Sequence, residues 1–392
     1  MEYTYVEDKQ ELNKLCDELL KLEWIAIDTE FIGENTFFTE LCLIQIACQN
    51  GIFLVDTIRI NEIKCFLDLL ENENILKITH AGDNDYRIFF ELYGVIPCNI
   101  FDTQIAAGFL GYRFPISFKD LLFNELKKNI SKSYSVVDWK MRPLPEYFIN
   151  YAVEDVIYLY ELYQSLLVKL ESKNRTEWCQ EELSKICNKS YFQLEPYKDF
   201  LNHPLIGKLD RKGKLYLFRL INWRLDVAKA KNISKEAVIQ QKYFPIIVKG
   251  LSKDLKELEQ SRRLPGGILK KHGKKLLEIA NTPMTDQEEK TINQIKKTEK
   301  EDTVQALNYE ILYQIVSLVC NRQNISIDLV LPRGILKQIK ADSKKGIQNI
   351  LNTWRNEFLG AAIIHFFNNI NRLDYSFHDE QITLKITDES SK

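Results

Sequence analysis

The nine residues WIAIDTEFI, at positions 24–32, decide how the rest of this chain is interpreted. The first four are apolar, which is typical of a buried strand. Side chains alternate between the two faces of a strand, so Asp28 and Glu30 point to the same side. Two carboxylates on one face of a buried strand repel each other unless a cation lies between them. The stretch therefore predicts a strand with a cation site at its end.

Around this strand, the first 200 residues alternate between strand-like and helix-like patterns. Apolar runs predict strands at 24–32, 41–48, 52–57 and 75–80, and helical periodicity is present at 63–70, 85–93, 116–126 and 146–170. This alternation favours an α/β domain with a mixed sheet. Beyond residue 200 strand signals nearly vanish and the periodicity is helical. We therefore divide the chain into an α/β domain at 1–200, helical domains at 201–285 and 301–380, a linker at 286–300 and a tail at 381–392.

Length and composition exclude several protein classes. The 392 residues are long enough for two or three domains, and 45% of them are apolar. The apolar runs end well before the roughly 20 residues that a membrane span needs. The first ten residues are acidic and polar, unlike a signal peptide, so we expect a cytoplasmic protein. Eight cysteines stand singly, which predicts neither a disulfide framework nor a structural zinc site.

The net charge of −2 hides a strong asymmetry along the chain. Residues 1–200 carry 20 Lys and Arg against 33 Asp and Glu, whereas residues 201–280 carry 19 against 7. A basic segment with a net charge of +12 attracts a polyanion, although a solvated lysine-rich surface has the same composition.

Two further acidic sites follow the first strand. In HAGDND, at 80–85, a glycine-containing turn opens a helix, and Asp85 falls in its first turn while Asp83 suits a capping role. In YAVED, at 151–155, Tyr151 and Asp155 stand at i and i+4 and so share one helix face. An ordinary amphipathic helix would show the same spacing.

Together these three sites resemble the motifs of the DEDDy 3′–5′ exonucleases. The chain is most similar to the ribonuclease D family, through DTEF at 28–31, LCLIQIA at 41–47, HAGDND at 80–85, DWKMRPL at 138–144 and YAVED at 151–155. The resemblance covers residues 1–200 and implies a ribonuclease H-like mixed-sheet domain. Two positions depart from the family pattern: Phe148 stands in place of a glutamine and Thr39 in place of a proline.

The resemblance also implies a set of site residues. Asp28, Glu30, Asp85 and Asp155 would hold two divalent cations, Mg²⁺ or Mn²⁺, and Tyr151 would orient the attacking water. Asp28 would bridge both ions. Thr29, Phe31, His80, Lys132 and Arg142 are candidates for substrate contacts, although a lone histidine after a strand is more often a structural hydrogen-bonding group.

Residues 207–280 are similar to an HRDC domain, a helical nucleic-acid-binding module, and residues 301–380 are a candidate for a diverged second copy. The family resemblance implies a monomeric exoribonuclease that trims 3′ ends of structured RNA, such as transfer RNA precursors, and releases 5′-mononucleotides. Two alternatives remain open from the residues: a DNA exonuclease with the same five side chains, and a non-catalytic nucleic-acid-binding scaffold.

Overall fold

The computed structural model describes residues 2–130, 138–193, 196–253, 263–295, 303–378 and 381–386. The chain divides into two compact units. The first, here the sheet unit, comprises Met1–Glu30, Leu41–Phe192 and Glu301–Lys392; the second, here the basic unit, comprises Phe31–Glu40 and Gln193–Lys300.

A six-stranded mixed sheet organises the sheet unit, in the order β1-β4-β3-β2-β5-β6. The strands are β1 (Thr4–Val6), β2 (Trp24–Ile32), β3 (Glu40–Cys48), β4 (Gly51–Val55), β5 (Leu76–Thr79) and β6 (Ile100–Asp102). Strand β3 runs antiparallel to β4, whereas β1 is parallel to β4 and β5 is parallel to both β2 and β6. The predicted α/β fold with a mixed sheet is confirmed.

Up to residue 192, helices lie between and after these strands along the chain. They are α1 (Lys9–Leu19), α2 (Lys64–Leu70), α3 (Asp83–Tyr93), α4 (Thr103–Phe109), α5 (Phe118–Leu126), α6 (Glu146–Ile157), α7 (Leu159–Ser172), α8 (Thr176–Ser184) and α9 (Lys189–Phe192). Instead of the single predicted helix at 146–170 there are two, because the chain leaves helical geometry at Tyr158, with ψ near −2°.

The basic unit is helical. Its helices are α10 (Lys198–Leu201), α11 (Arg211–Lys231), α12 (Lys235–Val238), α13 (Phe244–Lys253), α14 (Gly266–Asn281) and α15 (Asp286–Asn293). They enclose a core around α11 that includes Leu217, Leu220 and Phe244. Helix α15 lies in the segment predicted as a linker, yet its Ile292 is buried in this core and Glu288 pairs with Arg219.

The C-terminal segment forms α16 (Thr303–Gln323), α17 (Ile327–Val330), α18 (Arg333–Ala341), α19 (Ser343–Leu351) and α20 (Arg355–Asn368), followed by strands β7 (Leu373–His378) and β8 (Gln381–Ile386). Strands β7 and β8 form an antiparallel hairpin, which the helical pattern of this segment did not predict. Strand β8 occupies the start of the segment predicted as a tail.

These C-terminal helices share one hydrophobic core with α4, α5, α7 and α8. Leu312, Val316 and Leu329 are buried in the same cluster as Leu162 and Leu166. Arg175, itself buried, donates hydrogen bonds to the carbonyls of Phe109, Gln323 and Asn324. The segment after residue 300 is therefore an integral part of the sheet unit.

All eight cysteines lie among the described residues, and none forms a disulfide. Within the described part of the chain, the helices are too short or too polar to traverse a lipid bilayer.

Candidate active site

Strand β2 and helix α6 bring three carboxylates together. Asp28 and Glu30 project from the same face of β2, and Asp155 comes from α6. One carboxylate oxygen of each lies within 4.8 Å of the others. Among the residues that the structure describes, these three form a group able to hold a metal ion.

Asp85 lies in the first turn of α3, as the turn at 80–85 predicted, and is not among the three carboxylates whose oxygens lie within 4.8 Å of one another. It is buried, and its Oδ1 accepts a hydrogen bond from the Thr29 hydroxyl. Burial, followed by the charge of Asp85, raises the pKa of Asp28. The hydroxyl of Thr29, a candidate substrate contact, is therefore directed to Asp85 instead.

The turn that leads into α3 depends on a glycine and on a second buried acid. A Cβ atom at Gly82 would lie 2.7 Å from the Thr79 hydroxyl, so a larger residue does not fit there. Asp102 accepts hydrogen bonds from the backbone N–H groups of Ala81 and Gly82, at 3.1 and 2.9 Å. Asp102 also caps helix α4 through the N–H of Gln104. Our sequence reasoning missed Asp102, although an aspartate directly before an apolar helical run is a capping signal.

Helix α6 supplies Tyr151 together with Asp155. The two side chains share one face, and burial, followed by the charge of Asp155, raises the pKa of the Tyr151 hydroxyl. Trp139 is buried and lies against both Phe148 and Tyr151, with ring centroids 5.1 and 6.1 Å apart. Phe148, where the family pattern has glutamine, is thus a packing residue of this helix.

The carboxylates strongly perturb one another. Burial, followed by the charges of Asp85, Asp155 and Glu30, raises the pKa of Asp28 well above its ordinary value. Burial and the charges of Asp155 and Asp85 do the same to the pKa of Glu30. Burial raises the pKa of Asp85 and that of Asp155 to about 7 each. Without a cation, the carboxylates of this site that are ionised at neutral pH therefore repel one another.

The donor set fits a hard divalent cation. Oxygen ligands from carboxylates suit Mg²⁺ and Mn²⁺, whereas zinc sites are usually rich in cysteine and histidine. The Oδ2 atom of Asp155 is buried and has no hydrogen-bond partner, so a lone pair is available to a metal ion.

This repulsion predicts how stability depends on pH in the absence of metal. Folded-state pKa values of about 7 for Asp85 and Asp155 exceed the unfolded value near 4, so the folded state binds more protons between these limits. The free energy of unfolding from these groups should therefore fall as the pH rises from 5 to 8. Thermal melting in EDTA tests this, and saturating Mg²⁺ should reduce the decline because it neutralises the carboxylates.

Arg142, predicted to grip a phosphate, has a structural role instead. Its Nε and Nη2 atoms contact Asp56 at 2.5 and 2.7 Å, and its remaining donors reach the carbonyls of Trp139, Met141 and Cys42. The Asp56 side chain is fully buried. Because every N–H of the guanidinium is used within the protein, the phosphate-binding prediction for Arg142 is wrong. Arg142 instead anchors the segment before α6 to the end of β4.

Replacing Arg142 with glutamine should therefore destabilise the fold. Removing one partner of a buried ion pair typically costs about 3–5 kcal/mol. Because Asp56 keeps hydrogen bonds from the Tyr5 hydroxyl and the Ile58 N–H, we expect the loss to lie near the lower end of that range. Urea denaturation measures this loss. The double variant Arg142→Gln, Asp56→Asn should recover part of it, whereas additive losses would show that the two side chains do not act as a pair.

The other residues predicted to contact the substrate are His80, Phe31 and Lys132. Both ring nitrogens of His80 are engaged, Nδ1 with the Thr103 hydroxyl at 2.9 Å and Nε2 with the Ile116 carbonyl at 3.1 Å, which matches the structural role. Burial also lowers the pKa of His80. Phe31 is exposed at the end of β2, and its contact with the substrate stays a prediction. Lys132 lies outside the described residues.

Comparisons with known proteins identify relatives of this chain. Residues 3–171 match the family model described as a 3′-5′ exonuclease. The ribonuclease D of Shewanella sp. (strain ANA-3) is 30% identical over 280 residues, which cover 71% of this chain and 72% of the relative. The ribonuclease D of Musicola paradisiaca (strain Ech703) is 26% identical over 377 residues, covering 93% and 98%.

The fold has a solved counterpart as well. The crystal structure of Escherichia coli RNase D, described as an exoribonuclease involved in structured RNA processing, superposes with a TM-score of 0.80 at 22% identity. The match covers 94% of this chain and 99% of that one. The chain belongs to the ribonuclease D family and is a 3′–5′ exoribonuclease.

Proposed function

We propose that this exoribonuclease shortens structured RNA, such as transfer RNA precursors, from the 3′ end and releases 5′-mononucleotides with the help of two divalent cations. The observation that carries this proposal is the convergence of Asp28, Glu30 and Asp155 within 4.8 Å, with Asp85 close to Asp28. No cysteine or histidine belongs to this group, so we assign Mg²⁺ or Mn²⁺.

Each acidic residue has a separate part in holding the cations. Asp28 would contribute to both sites, which agrees with its central position among the charges of Asp85, Asp155 and Glu30. Glu30 and Asp155 would complete the site next to the attacking water, and Asp85 would support the second site. Two such cations, when bound, stabilise the attacking and the departing oxygens of the phosphodiester.

Tyr151 acts as a hydrogen-bonding group and not as a base. Burial, followed by the charges of Asp155, Glu30 and Asp28, raises the pKa of its hydroxyl above the ordinary value. The phenol therefore keeps its proton at neutral pH. From the Asp155 side of the site it would orient the water that attacks the terminal phosphodiester, whose 3′ oxygen leaves with the shortened RNA.

Replacing Tyr151 with phenylalanine should separate turnover from binding. The ring keeps its packing against Trp139, while the hydroxyl near Asp155 is lost. A hydrogen bond to a charged group contributes about 1.5–3 kcal/mol, so we expect kcat to fall roughly 10- to 150-fold with little change in KM. Tyr147→Phe, an exposed tyrosine on the same helix, is the control and should retain wild-type turnover. Equal turnover in the two variants would contradict the role of Tyr151.

The basic unit fits the proposed HRDC-type module. Residues 201–280 carry a net charge of +12, and each phosphate that they neutralise releases counterions. A second HRDC-like domain at 301–380 is a weaker proposal, because these helices share their core with the nuclease fold. The cytoplasmic location and the monomeric state stay predictions.

A direct assay tests the proposed activity. The purified chain is incubated with 5′-labelled RNA carrying a 3′ extension, and with DNA of the same sequence, in Mg²⁺, Mn²⁺ or EDTA. We expect a ladder of RNA products that shorten one nucleotide at a time and disappear in EDTA. Internal fragments or shortening of DNA alone would contradict the proposal.

A further inference from the structure

The loop that follows the acidic strand is fixed on the basic unit. Residues Phe31–Glu40 leave β2 directly after Glu30 and belong to that unit. The Oδ1 atom of Asn232 accepts hydrogen bonds from the backbone N–H groups of Phe37 and Phe38, at 3.2 and 3.0 Å. The Ser234 N–H donates to the Asn35 carbonyl at 3.1 Å. The loop backbone is thus held at three points by the end of α11 and the residues after it.

The two phenylalanines of this loop have opposite surroundings. Phe37 packs against the core of the basic unit, and the Lys229 ammonium lies 5.7 Å from its ring. Phe38 contacts Phe37 edge to face, with ring centroids 5.0 Å apart, yet it is 51% exposed. An aromatic ring held this rigidly loses little conformational entropy when a ligand stacks on it.

The charges around Phe38 favour an anionic ligand. Lys229 and Lys231 end helix α11 and are exposed, in a segment whose net charge is +12. The Lys229 ammonium lies beside the Phe37 ring, which Phe38 contacts, and an exposed aromatic ring with a nearby lysine is a combination that binds single-stranded nucleic acid, because bases stack and phosphates pair with lysine. This inference rests on the proposed function, in which the substrate is RNA. We propose that Phe38 is a stacking platform for a base of the single-stranded RNA substrate, with Lys229 contacting the adjacent phosphate.

An exposed phenylalanine in the sheet unit provides a matched control. Phe123 is 50% exposed, and Lys127 lies 5.7 Å from its ring, as Lys229 does from the ring of Phe37. Phe123 lies in the sheet unit, whose 29 Lys and Arg against 40 Asp and Glu give a net charge of −11 that repels a polyanion, whereas the basic unit, which includes Phe38, has 24 against 15, a net charge of +9. Phe38→Ala and Phe123→Ala therefore change similar surfaces in opposite electrostatic settings.

The test measures RNA affinity by fluorescence anisotropy with the full-length chain in EDTA, which prevents cleavage. The probe is a labelled single-stranded RNA of about 16 nucleotides, compared with the same RNA lacking its bases. Phe38→Ala should weaken binding of the normal RNA about 5- to 100-fold and leave binding of the abasic RNA unchanged. Phe38→Trp should preserve binding, and Phe38→Leu, which keeps apolar bulk without an aromatic face, should not. Phe123→Ala should have no effect.

The salt dependence separates stacking from charge. Lys229→Ala should reduce the slope of log affinity against log salt by about 0.7, whereas Phe38→Ala should leave that slope unchanged. Equal affinities of the wild type and Phe38→Ala for normal RNA would overturn the inference, as would an equal loss on abasic RNA. Failure of the wild type to bind either RNA would instead count against the proposed function.

Discussion

Replacing Asp28 with asparagine should abolish RNA shortening, with kcat lower by at least about 1,000-fold. Asp28 stands among the charges of Asp85, Asp155 and Glu30, and in our assignment it is the ligand common to both cations. Losing several kcal/mol of charge stabilisation in the transition state accounts for a decrease of this size. The measurement is single-turnover hydrolysis of 5′-labelled RNA at saturating Mg²⁺. Activity above about one tenth of the wild type would contradict the assignment.

The same variant should be more stable than the wild type in the absence of metal. Asparagine removes a carboxylate whose pKa is raised by burial and then by the charges of Asp85, Asp155 and Glu30, so one unfavourable buried charge is lost. Thermal melting in EDTA should therefore show a higher Tm, and the increase in Tm that Mg²⁺ gives the wild type should be smaller. Asp83→Asn is the control: Asp83 lies two residues before Asp85 on α3 and faces Arg87, so activity and melting should both stay close to wild type. Loss of activity with a lower Tm would indicate misfolding instead.

Deleting residues 301–392 should prevent the sheet unit from folding. Side chains of α16 to α20 are buried in one core with those of α4, α7 and α8, including Leu312, Val316, Trp354 and Phe367. Each buried apolar side chain of this size contributes about 1.5–3 kcal/mol, while a whole domain is stable by only about 5–15 kcal/mol. We expect a fragment 1–300 whose sheet unit shows no cooperative unfolding transition in circular dichroism, while the basic unit, which keeps its own core, still shows one. A fragment whose sheet unit melts at the temperature of the full chain would show that the C-terminal helices are independent.

A single substitution tests the same interface without a truncation. Arg175→Met removes the guanidinium that binds the carbonyls of Phe109, Gln323 and Asn324 and leaves them without this donor. Unsatisfied buried carbonyls cost about 1–3 kcal/mol each, so urea denaturation should show a loss of at least about 2 kcal/mol. Arg211→Met, which breaks an exposed pair with Glu289, should cost no more than about 1 kcal/mol.

The sequence predicted the site best where a local pattern places chemically suitable side chains on one face of a strand or helix. The apolar run before Asp28 and the i, i+4 spacing of Tyr151 and Asp155 are local features, and each determines which side chains share a face. The structure brings these residues together. The comparisons confirm the family resemblance, the α/β fold and the exoribonuclease activity. These predictions succeeded because each rests on several motifs that occur in one order along the chain.

Contacts between distant parts of the chain account for the features that the sequence did not indicate. Nothing near Arg142 indicates that its partner is Asp56, 86 residues earlier, and an arginine beside a catalytic motif suggests phosphate binding on its own. The hydroxyl of Thr29 is directed to Asp85 for the same reason, 56 residues away. The C-terminal helices looked like a separate domain because amphipathic periodicity shows that a face is buried but not what covers it.

The central claim is that Asp28, Glu30, Asp85 and Asp155 hold two divalent cations at the 3′ end of RNA. Crystals of the full chain with Mn²⁺ and an RNA whose terminal phosphodiester resists hydrolysis would test it through the anomalous scattering of manganese. We predict two peaks about 3.5–4 Å apart, both in contact with Asp28 and with the terminal phosphate. A site without manganese, or a single ion that does not contact Asp28, would contradict the account.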